Sequence, residues 1–421
     1  MTILILGSGG REHALARQIS KSADCKKLMV APGNPGTAEI AENLDLDIND
    51  FQAVKQAVLN HKIEMLVVGP EKPLVDGIHD FFALDQDLKN VKIVGPSKKG
   101  ALLEGSKERA KEFMGMYSIP TAAYESFNAK SIKAGKEFLE TLKPPYVLKA
   151  DGLAGGKGVL IEKDLQTAQD ELELMLKKDK FGEAGKTVVI EEFLDGKELS
   201  VFVLTDGENY KILPTAQDYK RIGEGDTGLN TGGMGSISPS PIATDGLMEK
   251  VENRIVKPTI EGLKEESINY QGFIFLGLMV VDDNPYVIEY NVRMGDPESQ
   301  AVLPRIDSDF LELLDKTASG KLNEVELKID KSHTATVVAV SGGYPESYEK
   351  GKTISGIEKV KDSIVFQAGI KKENNELKTN GGRVISVTSF GKDHKEAMQR
   401  SYTELEKIDF EKMYYRKDLG E

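Results

Sequence analysis

Residues Tyr146–Ile161 read YVLKADGLAGGKGVLI: an apolar run, a glycine-rich tip and a second apolar run. Val147, Leu148, Val159, Leu160 and Ile161 suit two strands. Gly152, Gly155, Gly156 and Gly158 suit a turn whose backbone can come close to a ligand. Lys149 lies on the first strand, where its ammonium has a fixed position, and Lys157 lies on the tip. A fixed lysine beneath a glycine flap, with N–H groups and a second lysine above, can hold a polyphosphate. A glycine-rich hairpin without a ligand fits the same letters. A Walker A loop does not. Asp151 and Gly158 stand where it needs Gly and Ser or Thr, and a strand rather than a helix follows.

The flap lies in a chain of 421 residues, long enough for two to four domains. The formal charge of −13 disfavours a general nucleic-acid surface but leaves room for a local basic pocket. Cys25 is the only cysteine, which excludes an internal disulfide and a cysteine-rich zinc site. A reducing, cytoplasmic compartment is expected. The apolar start Ile3–Leu6 is too short for a signal segment, and Phe273–Val281 is too short to span a membrane.

Before the flap, strand and helix alternate. Ile3–Leu6, Leu28–Ala31, Met65–Val68 and Lys92–Val94 read as strands, and Arg11–Ser20 and Phe51–Asn60 as helices. The alternation predicts an open, Rossmann-like parallel sheet covered on both faces. Its glycine turns fall at the carboxyl ends of strands, the edge where such sheets bind ligands. The first turn, Gly7–Glu12, lacks the third glycine of the dinucleotide fingerprint, which Glu12 replaces. Ala31 and Pro32 stand where an acidic ribose ligand belongs. Nicotinamide binding is therefore disfavoured. A smaller phosphorylated ligand at the helix start, or a tight turn with no ligand, fits better. Ser106 is expected to cap a helix running to Met116, with Lys107 in its first turn against the dipole.

Beyond the flap, Leu165–Lys178 reads as a helix and Thr187–Leu194 and Leu199–Thr205 as strands. Adjacent Glu191 and Glu192 must point to opposite faces. Ala216–Pro241 shows neither helical nor strand periodicity and is expected to be an active-site loop. Gly272–Val281 and Tyr286–Tyr290 read as paired strands. Glu289, Asn291 and Arg293 then share one face, a set that suits magnesium plus phosphate. A half-exposed strand with its polar side outward is the competing reading. From Asn323 onward, strands at Ala335–Val340, Ile364–Ala368 and Arg383–Ser389 and a helix at Lys395–Ile408 predict a small α+β unit.

Together these segments resemble the ATP-grasp superfamily and, within it, the phosphoribosylamine–glycine ligase family. The resemblance rests on Gly10–Ala14, Ala31–Asn34, Val68–Glu71, Leu103–Lys107, Lys149–Leu153, Gly156–Gly158, Ile190–Gly196, Asn230–Gly235, Gly295–Glu298, Thr379–Arg383 and Arg416–Gly420, in order and nearly end to end. It implies a multidomain α/β and α+β protein. An N-terminal parallel-sheet domain would cover 1–104 and an ATP-grasp domain 105–322, with a mobile flap subdomain at about 122–192. A C-terminal α+β domain would cover 323–421.

The resemblance also implies an ATP-dependent carbon–nitrogen ligase of purine biosynthesis. ATP would phosphorylate the glycine carboxylate, and the amine of 5-phosphoribosylamine would displace phosphate. Lys107, Lys149 and the flap residues Gly155, Gly156, Lys157 and Gly158 would contact the ATP phosphates. Glu191, Glu192, Phe193 and Leu194 would line the adenine, and Glu198 the ribose. Glu289 and Asn291 would hold Mg2+ or Mn2+, and Arg293 would stabilise the transferring phosphoryl group. Gly9, Gly10, Arg11, Glu12, Asn34, Pro35, Gly36, Thr37 and Glu71 would place phosphoribosylamine. Asp218, Asn230, Thr231, Gly233, Met234, Gly235, Asp296, Pro297 and Glu298 would lie near glycine and the acyl phosphate, with Asp218, Lys149 and Arg293 counted as the catalytic groups.

Many ATP-grasp enzymes carry another acidic metal ligand on the preceding strand. Here that stretch, Phe275–Leu278, reads FLGL, which puts a second metal in doubt. The implied partners are small molecules only, with neither nucleic acid nor membrane, in a monomer or weak homodimer. A different ATP-grasp carboxylate–amine ligase or a non-catalytic nucleotide-binding module would share parts of this pattern.

Overall fold

In the computed structural model, Ile3, Leu4, Ile5 and Leu6 are all wholly buried, because the strand Thr2–Gly7 is covered on both sides. Leu4 and Leu6 face a core shared with the helix Phe51–His61. Ile3 and Ile5 face one shared with the helices Gly10–Ile19 and Phe310–Ala318. The structure describes residues 1–153, 158–177 and 185–420. Gly155, Gly156 and Lys157 of the expected flap lie outside the described residues. The first sheet is parallel throughout, in the order Glu42–Asn43, Lys27–Pro32, Thr2–Gly7, Met65–Val68, Lys92–Val94. This is the open sheet that the alternation of apolar runs and glycine turns implies.

The hairpin around the glycine tip is present. Tyr146–Ala150 pairs antiparallel with Val159–Glu162, with Lys149 opposite Val159. Thr187–Glu191 and Tyr124–Asn128 complete a four-stranded sheet. The helices Ile132–Thr141 and Leu165–Lys177 bury Leu139, Leu172 and Met175 against Leu148 and Ile190 on one face. Lys149 and Glu191 alternate with those two residues and so share the other face.

A second antiparallel sheet joins Tyr210–Ile212, Lys197–Thr205, Gly272–Val281 and Asn284–Asn291. Its last pair carries a bulge: Leu278 faces Val287 and Gly277 faces Glu289, so Ile288 is skipped.

The stretch 216–241 differs from the sequence expectation, since it contains four short strands. Arg221–Gly223 and Thr227–Asn230 form a hairpin. Gln217–Asp218 and Gly235–Ser238 add to a sheet completed by His333–Val340, Arg383–Gly391 and Ile364–Gln367. These strands run two to four residues, too short for a period-2 pattern to register. They are held by burial: Met234 and Ile237 pack into the cores of that sheet, which the helix His394–Leu405 covers. Among the described residues no helix is long and apolar enough to cross a membrane.

Candidate active site

Ser106 caps the helix Lys107–Met116, accepting from the Arg109 N–H at 3.0 Å. Its own hydroxyl donates to Asp151 at 3.0 Å, and the Asp151 carboxylate also accepts from the Glu108 N–H at 2.8 Å. The helix start is thereby fastened to the end of the flap strand. Lys107 Nζ points to the Gly152 carbonyl at 3.5 Å. One helical turn later Lys111 lies on the same side of the helix.

Lys149 Nζ lies 2.9 Å from Glu191 Oε1 and donates to the Ile288 carbonyl at 3.0 Å. That carbonyl belongs to the residue skipped by the bulge, so the bulge links the flap sheet to the strand carrying Glu289 and Asn291. Glu191 is the inward member of the adjacent pair, 2% exposed, and its second oxygen is 3.0 Å from Lys111 Nζ. Glu192 turns outward and bonds the backbone of Ala123 at 2.9 and 3.0 Å. Phe193 presents an exposed ring and Leu194 is half-buried. Glu198 pairs with Lys220 at 2.5 Å, and Asp218 lies 4.0 Å from the same ammonium.

The Glu289 side chain makes no hydrogen bond or ion pair with any described residue. Burial alone would raise its pKa, but the field of Lys220, Lys149, Lys107 and Arg293 holds it below the usual carboxylate range. Asn291 shares its face two residues on. Asn291 Oδ1 accepts from Arg293 at 3.2 Å, and its Nδ2 is buried without a partner among the described residues. Two hard oxygen donors beside four cations suit a divalent metal that brings phosphate oxygens with it. Gly277, which faces Glu289 across the ladder, offers no further carboxylate.

Arg293 joins three parts of the chain. It reaches Glu104 Oε1 at 2.7 Å, Glu71 Oε2 at 3.2 Å and Asn291. Burial pushes the Glu71 pKa up, but Arg293 and Arg11 outweigh it and hold it down. Glu104 is the partner that sequence reasoning missed. It stands in the Leu103–Lys107 motif, but nothing in the spacing marks it as facing Arg293.

At the first glycine turn, Glu12 folds back to accept from the Gly9 N–H at 2.6 Å and pairs with Arg11 at 2.6 Å. Its carboxylate occupies the space of two absent side chains. A Cβ at Gly69 would lie 2.1 Å from Glu12 Oε1, and one at Gly7 2.4 Å from its Cγ. Asp296 approaches the Arg11 N–H at 3.4 Å, so two carboxylates face this helix start. Asn34 spends its whole side chain on the protein. Nδ2 donates to the Ser8 and Gln367 carbonyls at 2.8 and 2.9 Å, and Oδ1 accepts from the N–H groups of Gly36 and Thr37 at 2.8 and 3.0 Å. Thr37 is buried and Pro35 half-buried within that turn.

Ser8, Gly9, Asp296, Tyr344, Ala368, Gly369 and Arg383 line a cavity of about 250 Å³ between the first turn and the last sheet. Arg383 donates to the carbonyls of Gly232 and Asp296 and faces the Asp296 carboxylate at 3.4 Å. It too was missed as a site residue, though it ends the Thr379–Arg383 motif. Near it, Gly233 packs on Pro297, with no room for a Cβ. Thr231 bonds the Lys220 carbonyl at 2.8 Å. Asn230 is exposed, and Met234 and Gly235 are buried in the last sheet. Glu298 is 4% exposed, and its side chain makes no hydrogen bond or ion pair with another described residue. Burial and the charge of Asp218 push its pKa up, and burial likewise pushes Asp218 up against the pull of Lys220.

Three family models match in succession. They describe the N domain of phosphoribosylglycinamide synthetase over residues 1–104, its ATP-grasp (A) domain over 105–299 and its C domain over 334–421. The phosphoribosylamine–glycine ligase of Caldanaerobacter subterraneus is 44% identical, the match covering 100% of this chain and 99% of the relative. That of Haemophilus influenzae is also 44% identical, over 100% and 98%. The crystal structure of the same enzyme from Thermotoga maritima is 35% identical and superposes with a TM-score of 0.86, covering 99% of this chain and 100% of that one. With the domain order, near end-to-end identity and fold in agreement, the chain belongs to the phosphoribosylamine–glycine ligase family.

Proposed function

We propose that this protein joins glycine to 5-phosphoribosylamine at the expense of ATP, in purine biosynthesis. The γ-phosphoryl group passes to a glycine carboxylate oxygen, giving glycyl phosphate and ADP. The amine nitrogen then bonds to the acyl carbon, the carbon–oxygen bond to phosphate breaks, and the amine's proton is lost. The observation that supports this most is the field of Lys107, Lys149, Lys220 and Arg293 at the Glu289 carboxylate, whose side chain has no partner among the described residues. Four cations whose fields meet at one carboxylate put ammonium and guanidinium donors where a polyphosphate can share them.

In this reading Lys107 and Lys149 hold ATP phosphates, and Arg293 meets the transferring group. Glu289 and Asn291 would hold a magnesium ion, which when bound neutralises charge on the phosphates. The Glu192–Leu194 segment faces the adenine and Glu198 the ribose. Asp218 and Glu298 lie beside the glycine. Phosphoribosylamine occupies the cavity between Gly9 and Arg383, whose guanidinium suits its phosphate. Residues 1–104 serve the acceptor, 105–322 the nucleotide and 323–421 the closing wall, with Gln217–Asp218 and Gly235–Ser238 reaching across into that wall. A cytoplasmic site of action suits the ATP and the lone Cys25.

The test is phosphate release with magnesium, ATP, glycine and phosphoribosylamine generated in situ, leaving out each in turn. Release that needs all of them, with a ribonucleotide product of the expected mass, supports the reading. Release with another acid or amine contradicts it.

A further inference from the structure

Lys111 is a buried cation with no part in the chemistry above. Its side chain is 2% exposed. Its ammonium contacts Glu191 at 3.0 Å and Thr121 Oγ1 at 2.8 Å, and sits 5.3 Å from the centre of the Tyr124 ring. The Thr121 hydroxyl donates its own hydrogen bond to the Val287 carbonyl at 2.6 Å, so the pocket is closed by the strand that leads to Glu289. Glu191 thus divides its two oxygens between two lysines, Lys111 behind it and Lys149 toward the site.

The division matters because a bare buried carboxylate is costly. If Lys149 were the sole partner of Glu191, moving its ammonium to a phosphate oxygen would strand that carboxylate. With Lys111 in place, Glu191 stays paired and Lys149 is free to be shared. Lys149 can hold only one geometry while Glu191 is itself held, and Lys111 with Thr121 does the holding.

We propose that Lys111 is a positioning residue for ATP, acting through Glu191 to place the ammonium of Lys149 and release it to a phosphate. The charged or titratable groups around Lys111 are Glu191, Lys149, Glu192 and Tyr124, and burial brings its pKa down to about 8. The inference rests on Lys149 being a phosphate ligand.

The experiment is titration calorimetry of ATP with magnesium on the full chain. It uses wild type, Lys111→Met, Lys111→Arg, Glu191→Gln and the Lys111→Met/Glu191→Gln double variant. Lys111→Met should weaken ATP by roughly tenfold, and Lys111→Arg should recover most of that. In the double variant, removing Lys111 should add less than about twofold, because the carboxylate it serves is gone. The KM for glycine should stay within about twofold of wild type. Unchanged ATP affinity in Lys111→Met, or losses that simply add, overturns the inference. A purely structural lysine would lower the thermal midpoint and the active fraction but leave ATP affinity alone.

Should Lys111→Met fail to fold, the same titrations are run on wild type and Glu191→Gln from about pH 7 to about pH 9.5, across the titration of Lys111. Wild type should lose ATP affinity through that range and Glu191→Gln should not. An equal loss in both overturns the inference. A wild type that binds ATP but makes no phosphate defeats the ligase reading and leaves this one standing.

Discussion

Lys149 and Glu289 differ in how their side chains are held: Lys149 pairs with Glu191 at 2.9 Å, and the Glu289 side chain has no partner among the described residues. Replacing Lys149 with Ala removes the proposed phosphate contact but leaves Glu191 paired with Lys111 at 3.0 Å, so the fold should survive. Turnover should fall by about 10²–10³ with little change in the thermal midpoint, measured by phosphate release and by calorimetry. Glu289→Gln keeps the shape and removes the charge. The divalent-ion concentration for half-maximal rate should rise by about tenfold or more. An unchanged metal dependence would take Glu289 out of the metal set. At this scale the sequence was informative about residue type and silent about facing. Adjacent Glu191 and Glu192 had to diverge, but only the packing decides that Glu191 turns inward to the two lysines. Asn34 lay in a turn read as a substrate contact, and its side chain is wholly taken up by backbone groups.

The hairpin at Tyr146–Ala150 and Val159–Glu162 was legible as an element because apolar runs flank a glycine tip, and its register follows from that symmetry. The parallel sheet was legible from alternation alone. The bulge at Ile288 was not, since nothing in Asn284–Asn291 marks which residue the ladder skips. The strands within 216–241 were hidden for a related reason. Gly235–Ser238 finds its partner about a hundred residues on, at His333–Val340, and Gln217–Asp218 in turn pairs with Gly235–Ser238, so these two are stabilised by that pairing rather than by local propensity. The turn after Lys27–Pro32 offers a test at this scale. Asn34→Ala leaves two carbonyls and two N–H groups without their partner. A loss of roughly 2–4 kcal/mol in denaturant unfolding is expected. The KM for phosphoribosylamine should rise while that for ATP holds.

Across the whole molecule, the first helix and the last sheet are joined through His13. Its Nδ1 accepts from the Gln367 N–H at 3.0 Å, and its ring meets Phe366 edge-on at 5.6 Å. Burial lowers its pKa from 6.5 to about 4, so the ring is neutral in the folded state. The unfolded chain binds this proton more readily, and the associated stability is present above pH 6.5 and lost as pH falls toward about 4. That shift corresponds to roughly 3 kcal/mol. Urea unfolding of wild type and His13→Gln across that range should show a steeper acid loss in wild type. The proposed chemistry requires that one glycine oxygen leave on the phosphate. Glycine labelled with oxygen-18 in both carboxylate positions, turned over with ATP and phosphoribosylamine, tests this directly by mass spectrometry of the released phosphate. One labelled oxygen per phosphate is the predicted result. Unlabelled phosphate would mean that no glycyl phosphate forms, and would contradict the account.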